Sequence, residues 1–440
     1  MHTLAQLRAG QLHSLKRLDL SAGLTEFPRG VFDLADTLEV LNLTGNALSS
    51  LPDDLGRLHK LQVLFCSDNQ FSEVPAVLGQ CPQLRMVGFK ANQIRTLPAA
   101  ALTPALRWLI LTDNQLEALP AEIGNCPQLQ KLMLAGNRLT ALPATLAGCT
   151  NLELLRIAAN RLTELPSWLL ALPRLAWLAY AGNPFSAPAE ARVEAQQRIG
   201  HIAWDALTVE EKLGEGASGI IYRASWARPN VEDTEVAVKL FKGAVTSDGL
   251  PHCEMLACLE AGAHPNLIAV EGKVSGHPTG TEGLVLELID EAFGNLAGPP
   301  TLATCTRDVY APSTAFSLET ALSIAQGIAA AAGHLHTKGI MHGDLYAHNI
   351  LNTIEGNALL GDFGAASFFN SEETATAQAL QRLEVRAFGC LLEELLTHCD
   401  EADKAPNAVA TLWDLQRRCV TLEVSARPLF AEIERVLAGL

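Results

Sequence analysis

Long apolar runs are missing from this sequence of 440 residues. No run approaches the roughly 18 residues that a membrane-spanning helix requires. Met1 to Gly10 contains neither the apolar core nor the cleavage site of a secretory signal peptide. The ten cysteines occur without CxxC spacing, which argues against zinc or redox motifs and favours small buried side chains. These absences predict a protein of the reducing, cytoplasmic compartment.

Basic residues are also scarce relative to acidic ones. There are 32 Lys and Arg against 48 Asp and Glu, which gives a formal net charge of −16. Such a balance disfavours nucleic acid or an anionic membrane as the main partner. Hydrophobic residues make up 48% and charged residues 18%, which is typical of globular protein. A chain of this length predicts two or three domains.

The first half carries a repeated pattern, LxxLxLxxNxL, with a period of 22 or 23 residues. Its first leucine recurs at Leu15, Leu38, Leu61, Leu84, Leu106, Leu129, Leu152 and Leu175. Its asparagine recurs at Asn46, Asn69, Asn92, Asn114, Asn137, Asn160 and Asn183. The alternating LxL segment predicts a short strand with its leucines inward. We expect each asparagine amide to bind backbone groups of adjacent turns, because such groups cost ~1–3 kcal/mol when buried unpaired.

This pattern resembles the leucine-rich-repeat family, over about residues 12–187. The resemblance implies an α/β solenoid of about eight repeats with a curved parallel sheet, and we place this domain at 1–187. The residue before the middle leucine of each unit should face outward on the concave side. An exposed apolar column of this kind usually marks a protein partner. The predicted partner-binding residues are Val40, Val63, Met86, Trp108, Leu154 and Trp177, with Lys131 in the same column. The alternative is that part of the column packs against the linker or the second domain.

The repeat ends before a short segment that we interpret as a helical linker, 188–204. Good helix formers from Glu190 to Arg198 predict a helix there. Beyond the linker, Gly214, Gly216 and Gly219 form a GxGxxG pattern between two β-rich stretches. Glycines in this pattern allow backbone N–H groups to close over phosphates.

Three further motifs follow in order. An alternating strand, Val-Ala-Val-Lys, ends at Lys239. The sequence HGDLYAHN places Asp344 and Asn349 five residues apart on one loop. Asp362 then lies in a Gly-Asp-Phe-Gly sequence. A carboxylate and an amide oxygen are hard donors of the kind that Mg²⁺ prefers.

This ordered set resembles the eukaryotic-type protein kinases. The resemblance covers about 205–440 and implies an α+β bilobal domain, with an N-lobe at 205–290 and a C-lobe at 291–440. It implies ATP and Mg²⁺ as cofactors. Lys239 would bind the α- and β-phosphates and pair with Glu254, for which Glu260 is the rival. Asp344 would accept the proton of the attacking hydroxyl, and Asn349 and Asp362 would hold Mg²⁺. The implied ATP-binding residues, besides Lys239 and the three loop glycines, are Ile221, Ala237, Leu286, Glu287, Leu288 and Leu351.

The second half also departs from the kinase pattern. Gly343 stands where the family has an Arg that receives the phosphate of an activation loop. Tyr346 stands where it has a Lys near the transferred phosphoryl group. His348 on the same loop could substitute for that cation, although we favour a packing role. Only 19 residues separate Gly364 from Glu384, without Pro or Gly, so the Ala-Pro-Glu motif is missing. Arg427, whose family partner is the Glu of that motif, must find another.

The sequence therefore predicts an ATP- and Mg²⁺-dependent protein kinase of Ser/Thr type, whose repeats recruit a protein substrate or regulator. One alternative is an ATP-binding scaffold without catalysis, which the shortened segment and Tyr346 would suit. The other is a small-molecule phosphotransferase similar to the aminoglycoside and choline kinases, which also carry HGD followed by Asn. Neither nucleic acid nor a membrane span is expected.

Overall fold

The computed structural model describes residues 2–196, 200–216, 218–228, 232–243, 245–400 and 405–440. The chain divides into two compact units. The first comprises Met1–Leu172 with Asn183–Phe185, and the second comprises Pro173–Gly182 with Ser186–Leu440. The second unit therefore includes a segment that the repeat pattern assigns to the solenoid. No helix of the described residues combines the length and apolarity that crossing a membrane requires.

The first unit is a repeat solenoid, as the sequence predicts. A short helix, α1 (Leu4–Arg8), precedes it and is capped by the side chain of Thr3. Seven three-residue strands follow: β1 (Arg17–Asp19), β2 (Val40–Asn42), β3 (Val63–Phe65), β4 (Met86–Gly88), β5 (Trp108–Ile110), β6 (Lys131–Met133) and β7 (Leu154–Arg156). They pair in parallel and in sequence order, so equivalent positions of successive repeats lie side by side. Short 3₁₀ turns carry most of the return segments: Arg29–Leu34, Leu55–Arg57, Ala76–Gln80, Ala99–Ala101, Ala121–Asn125, Ala144–Gly148 and Leu169–Ala171.

The asparagine positions form a ladder along the solenoid. Asn69 shows the pattern: its Oδ1 accepts from the Leu48 amide at 2.9 Å, and its Nδ2 donates to the Leu43 carbonyl at 2.9 Å. These backbone groups belong to the preceding repeat, so the predicted role of the asparagines is confirmed. The cysteines at one phase of the repeat are buried, and no disulfide joins any of the ten cysteines in the described residues.

The predicted concave column is more enclosed than expected. Val40 and Trp108 are half-buried, whereas Val63, Met86, Leu154 and Trp177 are exposed by only 0–3%. The prediction of an exposed column is therefore wrong for these four. On several strands a large side chain two residues further along shares the same face, because side chains alternate. The Phe65 ring, for example, stands edge-on to Trp108 with centroids 6.3 Å apart.

The second unit begins with β8 (Trp177–Ala179), the eighth strand of the repeat pattern, and α2 (Ala187–Gln196). The predicted linker helix is thus present, although its last two positions lie outside the described residues. Further strands are β9 (His201–Ala203), β10 (Leu207–Glu215), β11 (Gly219–Trp226), β12 (Thr234–Phe241), β13 (Val270–Ser275) and β14 (Gly283–Glu287). They form a sheet in the order β10-β11-β12-β14-β13-β9. Helix α3 (Pro251–Ala261) packs Met255 and Leu259 against Phe241 and Leu284 of this sheet.

The rest of the second unit is mainly helical. It contains α4 (Leu318–Thr337), α5 (Thr374–Thr397), α6 (Pro406–Cys419) and α7 (Phe430–Leu437). Its short strands are β15 (Gly294–Asn295), β16 (Ile340–Met341), β17 (Ile350–Asn352), β18 (Ala358–Leu360) and β19 (Ser367–Phe368). β15, β17 and β18 form one small sheet, and β16 pairs with β19. This arrangement of a mixed sheet followed by helices confirms the predicted α+β class.

Candidate active site

An apolar cavity of about 600 Å³ lies beside the sheet of the second unit. This volume falls in the range of roughly 300–1,000 Å³ that is typical of small-ligand pockets. Besides Lys239 and the glycines, six residues were assigned to ATP binding, and all six line the cavity: Ile221, Ala237, Leu286, Glu287, Leu288 and Leu351. Four come from the adjacent strands β11, β12 and β14 and one from β17, so the structure brings together residues that lie up to 130 positions apart.

A smaller and more polar cavity, of about 170 Å³, adjoins the glycine-rich hairpin. Gly216, Gly219, Lys239 and Asp362 line it. The hairpin is closed by a bond from the Gly216 amide to the Gly219 carbonyl at 2.9 Å, and Gly214 lies opposite Ile221 in its register. Thr246 and Asp248 also line this cavity, and no motif in the sequence pointed to them.

Lys239 is half-buried beside this cavity and forms an ion pair with the buried Glu254 of α3. This geometry favours Glu254 over the rival Glu260. Burial lowers the pKa of Lys239, but the carboxylates of Glu254 and Asp362 outweigh burial and raise it above the ordinary value. Lys239 is therefore an ammonium ion, held where a polyanion can bind.

The loop after β16 holds Asp344, the predicted base, and Asn349, a predicted Mg²⁺ ligand. The Asn349 amide donates to the Asp344 carboxylate at 2.8 Å and to the Asp344 carbonyl at 2.9 Å. These bonds hold the Asp344 carboxylate in place. Because the Asn349 nitrogen faces Asp344, the side-chain oxygen of Asn349 faces away from it. Asp362 has a left-handed backbone (φ 54°), and its carboxylate accepts from the Gly364 amide at 3.1 Å. His342 ties the two loops together through a 2.9 Å contact between its Nε2 and the Gly361 carbonyl.

Glu384 anchors the same loop from α5. This carboxylate is 1% exposed and accepts from the backbone amides of His342 (3.2 Å) and Gly343 (2.7 Å). It also contacts His336 Nε2 at 2.7 Å. Burial alone would raise the pKa of Glu384, but these hydrogen bonds and the nearby histidines bring it below the ordinary value.

We expect Glu384→Gln to lower the free energy of unfolding at pH 7 by about 1.5–3 kcal/mol, the usual contribution of hydrogen bonds to a charged group. Because the folded pKa is lowered, the carboxylate stabilises the protein above its unfolded pKa of ~4.3 and loses that effect as the pH falls below it. Urea unfolding at several pH values measures both effects. A difference between variant and wild type that stayed constant from pH 7 to pH 3 would contradict this role.

His348 pairs with a buried aspartate. Its Nδ1 lies 2.7 Å from Asp308 Oδ1, and its backbone amide donates to Asp308 Oδ2 at 2.9 Å. Burial lowers the pKa of His348, but the Asp308 carboxylate outweighs burial and raises it. The packing role that we favoured for His348 agrees with this geometry. Asp308 lies in an irregular stretch without a motif, so the sequence offered no signal for it.

Arg427 has partners that the sequence did not suggest. The side chain is 2% exposed and donates to the backbone carbonyls of Thr421 (3.0 Å), Arg382 (3.1 Å) and Pro173 (2.7 Å). Burial, with Arg386 nearby, lowers the pKa of Arg427 to about 10. Carbonyl dipoles thus take the place of the glutamate that the family supplies.

The donor set fits Mg²⁺ in its chemistry. Asn349 and Asp362 offer an amide and a carboxylate oxygen, and Mg²⁺ is usually held by one or two such groups together with phosphates and water. Within the part of the chain that the structure describes, no cluster of three His, Cys, Asp or Glu forms a complete metal cage.

Comparison with known proteins agrees with this geometry. A sequence profile of protein tyrosine and serine/threonine kinases matches residues 207–391, and leucine-rich-repeat profiles match 37–58 and 127–185. A protein of Acanthamoeba polyphaga mimivirus, named as a serine/threonine-protein kinase, is 27% identical over 213 residues (43% of this chain and 35% of the relative). A protein of Arabidopsis thaliana, named as a leucine-rich repeat receptor-like protein kinase, is 30% identical over 221 residues (46% of this chain and 30% of the relative). The matches thus span about a third of the length of these relatives.

Proposed function

We propose that this chain, in which leucine-rich repeats precede a protein kinase domain, transfers the γ-phosphoryl group of ATP to a serine or threonine hydroxyl of a protein. The observation that carries the proposal is one arrangement in the second unit. A 600 Å³ apolar cavity suited to adenine adjoins a polar cavity lined by Lys239 and Asp362. The proposal is supported because the residues implied to contact adenine and those implied to contact the phosphates line adjoining cavities, and Lys239 is paired with Glu254.

Each group has a chemical role in the proposed reaction. The Lys239 ammonium, held by Glu254, binds the phosphates and neutralises part of their charge. The Asp344 carboxylate, held by Asn349, accepts the proton of the attacking hydroxyl, an effect worth ~10²–10⁴-fold in rate. Asn349 and Asp362 would hold Mg²⁺, which would supply electrostatic stabilisation of the phosphate oxygens. In the proposal, the half-buried Val40 and Trp108 of the first unit belong to the surface that recruits the protein substrate or a regulator.

The test is phosphate transfer from γ-labelled ATP in the presence of Mg²⁺. The full chain is incubated alone, with generic protein substrates and with small alcohols. Labelling of protein supports the proposal, and labelling of small alcohols alone would favour a small-molecule phosphotransferase. Nucleotide binding without any transfer would indicate an ATP-binding scaffold.

Lys239→Ala is expected to lower the rate of transfer by about 10- to 100-fold, because a positioned charge on the phosphates is lost. Initial rates of label incorporation measure the effect. Lys273→Ala is the matched control, since Lys273 pairs with the exposed Glu282 on the same sheet and should leave the rate unchanged. Equal rates for wild type and Lys239→Ala would contradict the proposed role.

A scaffold remains the second candidate because of Tyr346. This side chain is 5% exposed and brings no cation to the position where the family has its Lys. A transfer rate in wild type that is no higher than in Asp362→Ala would select the scaffold.

A further inference from the structure

The chain between the Asp-Phe-Gly motif and α5 is too short to form an activation segment. Only β19 and a few residues lie between Gly364 and Thr374, where α5 begins. In the second unit, another piece of chain lies against the catalytic loop and β19. This piece is Pro173–Gly182, which contains β8 and which we call the strand segment.

Trp177 makes the central contact of the strand segment. It is 2% exposed, and its indole Nε1 donates to the Leu345 carbonyl at 3.0 Å. Its ring stacks on Tyr346, with centroids 4.2 Å apart and planes within 7°. Leu345 and Tyr346 directly follow Asp344, so Trp177 restrains the backbone that carries the proposed base. Tyr346, which replaces a lysine, thereby gains a partner for its ring.

Gly343 fits the same contact from the other side of Asp344. A Cβ on Gly343 would come within 2.7 Å of the Leu178 carbonyl oxygen and 2.6 Å of the Ala365 carbonyl oxygen. The arginine that the family has here would not fit so close to the strand segment. The strand segment therefore occupies space that an arginine at position 343 would need, which accounts for the glycine there.

Tyr180 joins the strand segment to the chain after the Asp-Phe-Gly motif. Its backbone amide donates to Ser367 Oγ at 3.0 Å, and its hydroxyl donates to the Phe368 carbonyl at 3.1 Å. The beginning of the strand segment is fixed by two arginines. Arg427 donates to the Pro173 carbonyl at 2.7 Å, and Arg386 donates to the Arg174 carbonyl at 3.0 Å.

We propose that the strand segment takes the place of the activation segment, with Trp177 and Tyr180 as positioning residues that hold the catalytic loop in its working geometry. Phosphoryl transfer then requires no phosphorylated activation loop. This inference rests on the proposed kinase activity. It accounts together for Gly343, Tyr346, the short stretch before α5 and the unusual partners of Arg427.

The kinetic test compares Trp177→Ala with wild type in the full chain. Trp177 contacts the catalytic loop and is not among the residues that line the two nucleotide cavities. We therefore expect kcat to fall by about 10- to 100-fold, as misplacement of a catalytic group does. The KM for ATP and the Kd of a fluorescent ATP analogue should stay within about twofold. Trp177→Phe keeps the stacking on Tyr346 and should retain kcat within about fivefold, since one neutral hydrogen bond is lost.

Two further measurements accompany the kinetics. Trp168→Ala, a half-buried tryptophan of the first unit, is the control and should keep the wild-type kcat. Wild type that has been treated with a protein phosphatase should transfer phosphate at its full initial rate and without a lag.

Hydrogen exchange tests the inference without relying on activity. Amides of residues 343–346 should exchange at least about tenfold faster in Trp177→Ala than in wild type, and close to the wild-type rate in Trp177→Phe. Unchanged exchange in Trp177→Ala would overturn the inference, even in a protein without measurable transfer. The inference would also be overturned by an unchanged kcat in Trp177→Ala, or by a loss of nucleotide binding in parallel with kcat in that variant. A tenfold lower rate of wild type after phosphatase treatment would overturn it as well. An inactive wild type refutes the proposed function instead.

Discussion

Asp344→Asn is expected to lower the rate of phosphate transfer by about 10²–10⁴-fold while nucleotide binding stays within about twofold of wild type. The asparagine keeps the shape of the side chain and can still contact Asn349, but it cannot accept the proton of the attacking hydroxyl. Initial rates from γ-labelled ATP and titration with a fluorescent ATP analogue measure the two quantities.

Asp414→Asn is the control for Asp344→Asn. Asp414 is an exposed residue of α6 that pairs only loosely with Arg417, at 3.2 Å. Its replacement should leave transfer unchanged. A residual rate in Asp344→Asn within threefold of wild type would show that this carboxylate is not the base. Weaker nucleotide binding in parallel with the rate would indicate a structural fault.

Gly343→Ala is expected to destabilise the second unit by about 2–5 kcal/mol. Two costs add: about 1–2 kcal/mol for a side chain on a left-handed backbone and about 1–3 kcal/mol for the close contacts. The backbone there has φ 75°, and the two carbonyl oxygens near the new Cβ are backbone atoms, which cannot rotate away as a side chain can. Urea unfolding followed by tryptophan fluorescence measures the loss.

Gly280→Ala separates the two costs. Gly280 has a similar φ of 71°, but nothing lies within 4 Å of a Cβ placed there. This variant should lose only the backbone part, about 1–2 kcal/mol. If both variants lost the same stability, the Leu178 and Ala365 carbonyls would not crowd Gly343 as the structure indicates. The family's arginine at this position should be tolerated less well than alanine.

These predictions depend on features that differ in how far the sequence could show them. The repeat solenoid was predictable because its leucines and asparagines recur at a fixed period, and each repeat needs its neighbours to bury one face. The presence of the linker helix followed from its helix-forming composition. The predicted exposure of Val63, Met86 and Leu154 was wrong, because a periodic pattern shows which face a residue lies on and not what covers that face.

The proposed catalytic groups were predictable from short local motifs and not from a repeated period. The order of the glycine loop, Lys239, Asp344 and Asp362 was legible because each sits in a short local motif, and the structure brings these motifs together. Glu254 was favoured over Glu260 by its distance along the chain from the His-Pro-Asn sequence at 264–266, and the ion pair with Lys239 agrees with that preference. Asp308, Thr246 and Asp248 lie in irregular segments, where side chains come together without a shared local pattern.

The sequence by itself determined the two kinds of domain and the residues proposed to handle the nucleotide, because both are encoded in spacing along the chain. Only the tertiary structure decided what replaces the missing activation segment. Trp177 and Leu345 are separated by 168 positions, and Arg427 and Pro173 by 254. Stacking, close backbone contact and a guanidinium among carbonyls depend on distances in space, and no periodicity or motif records distances between such remote parts of a chain.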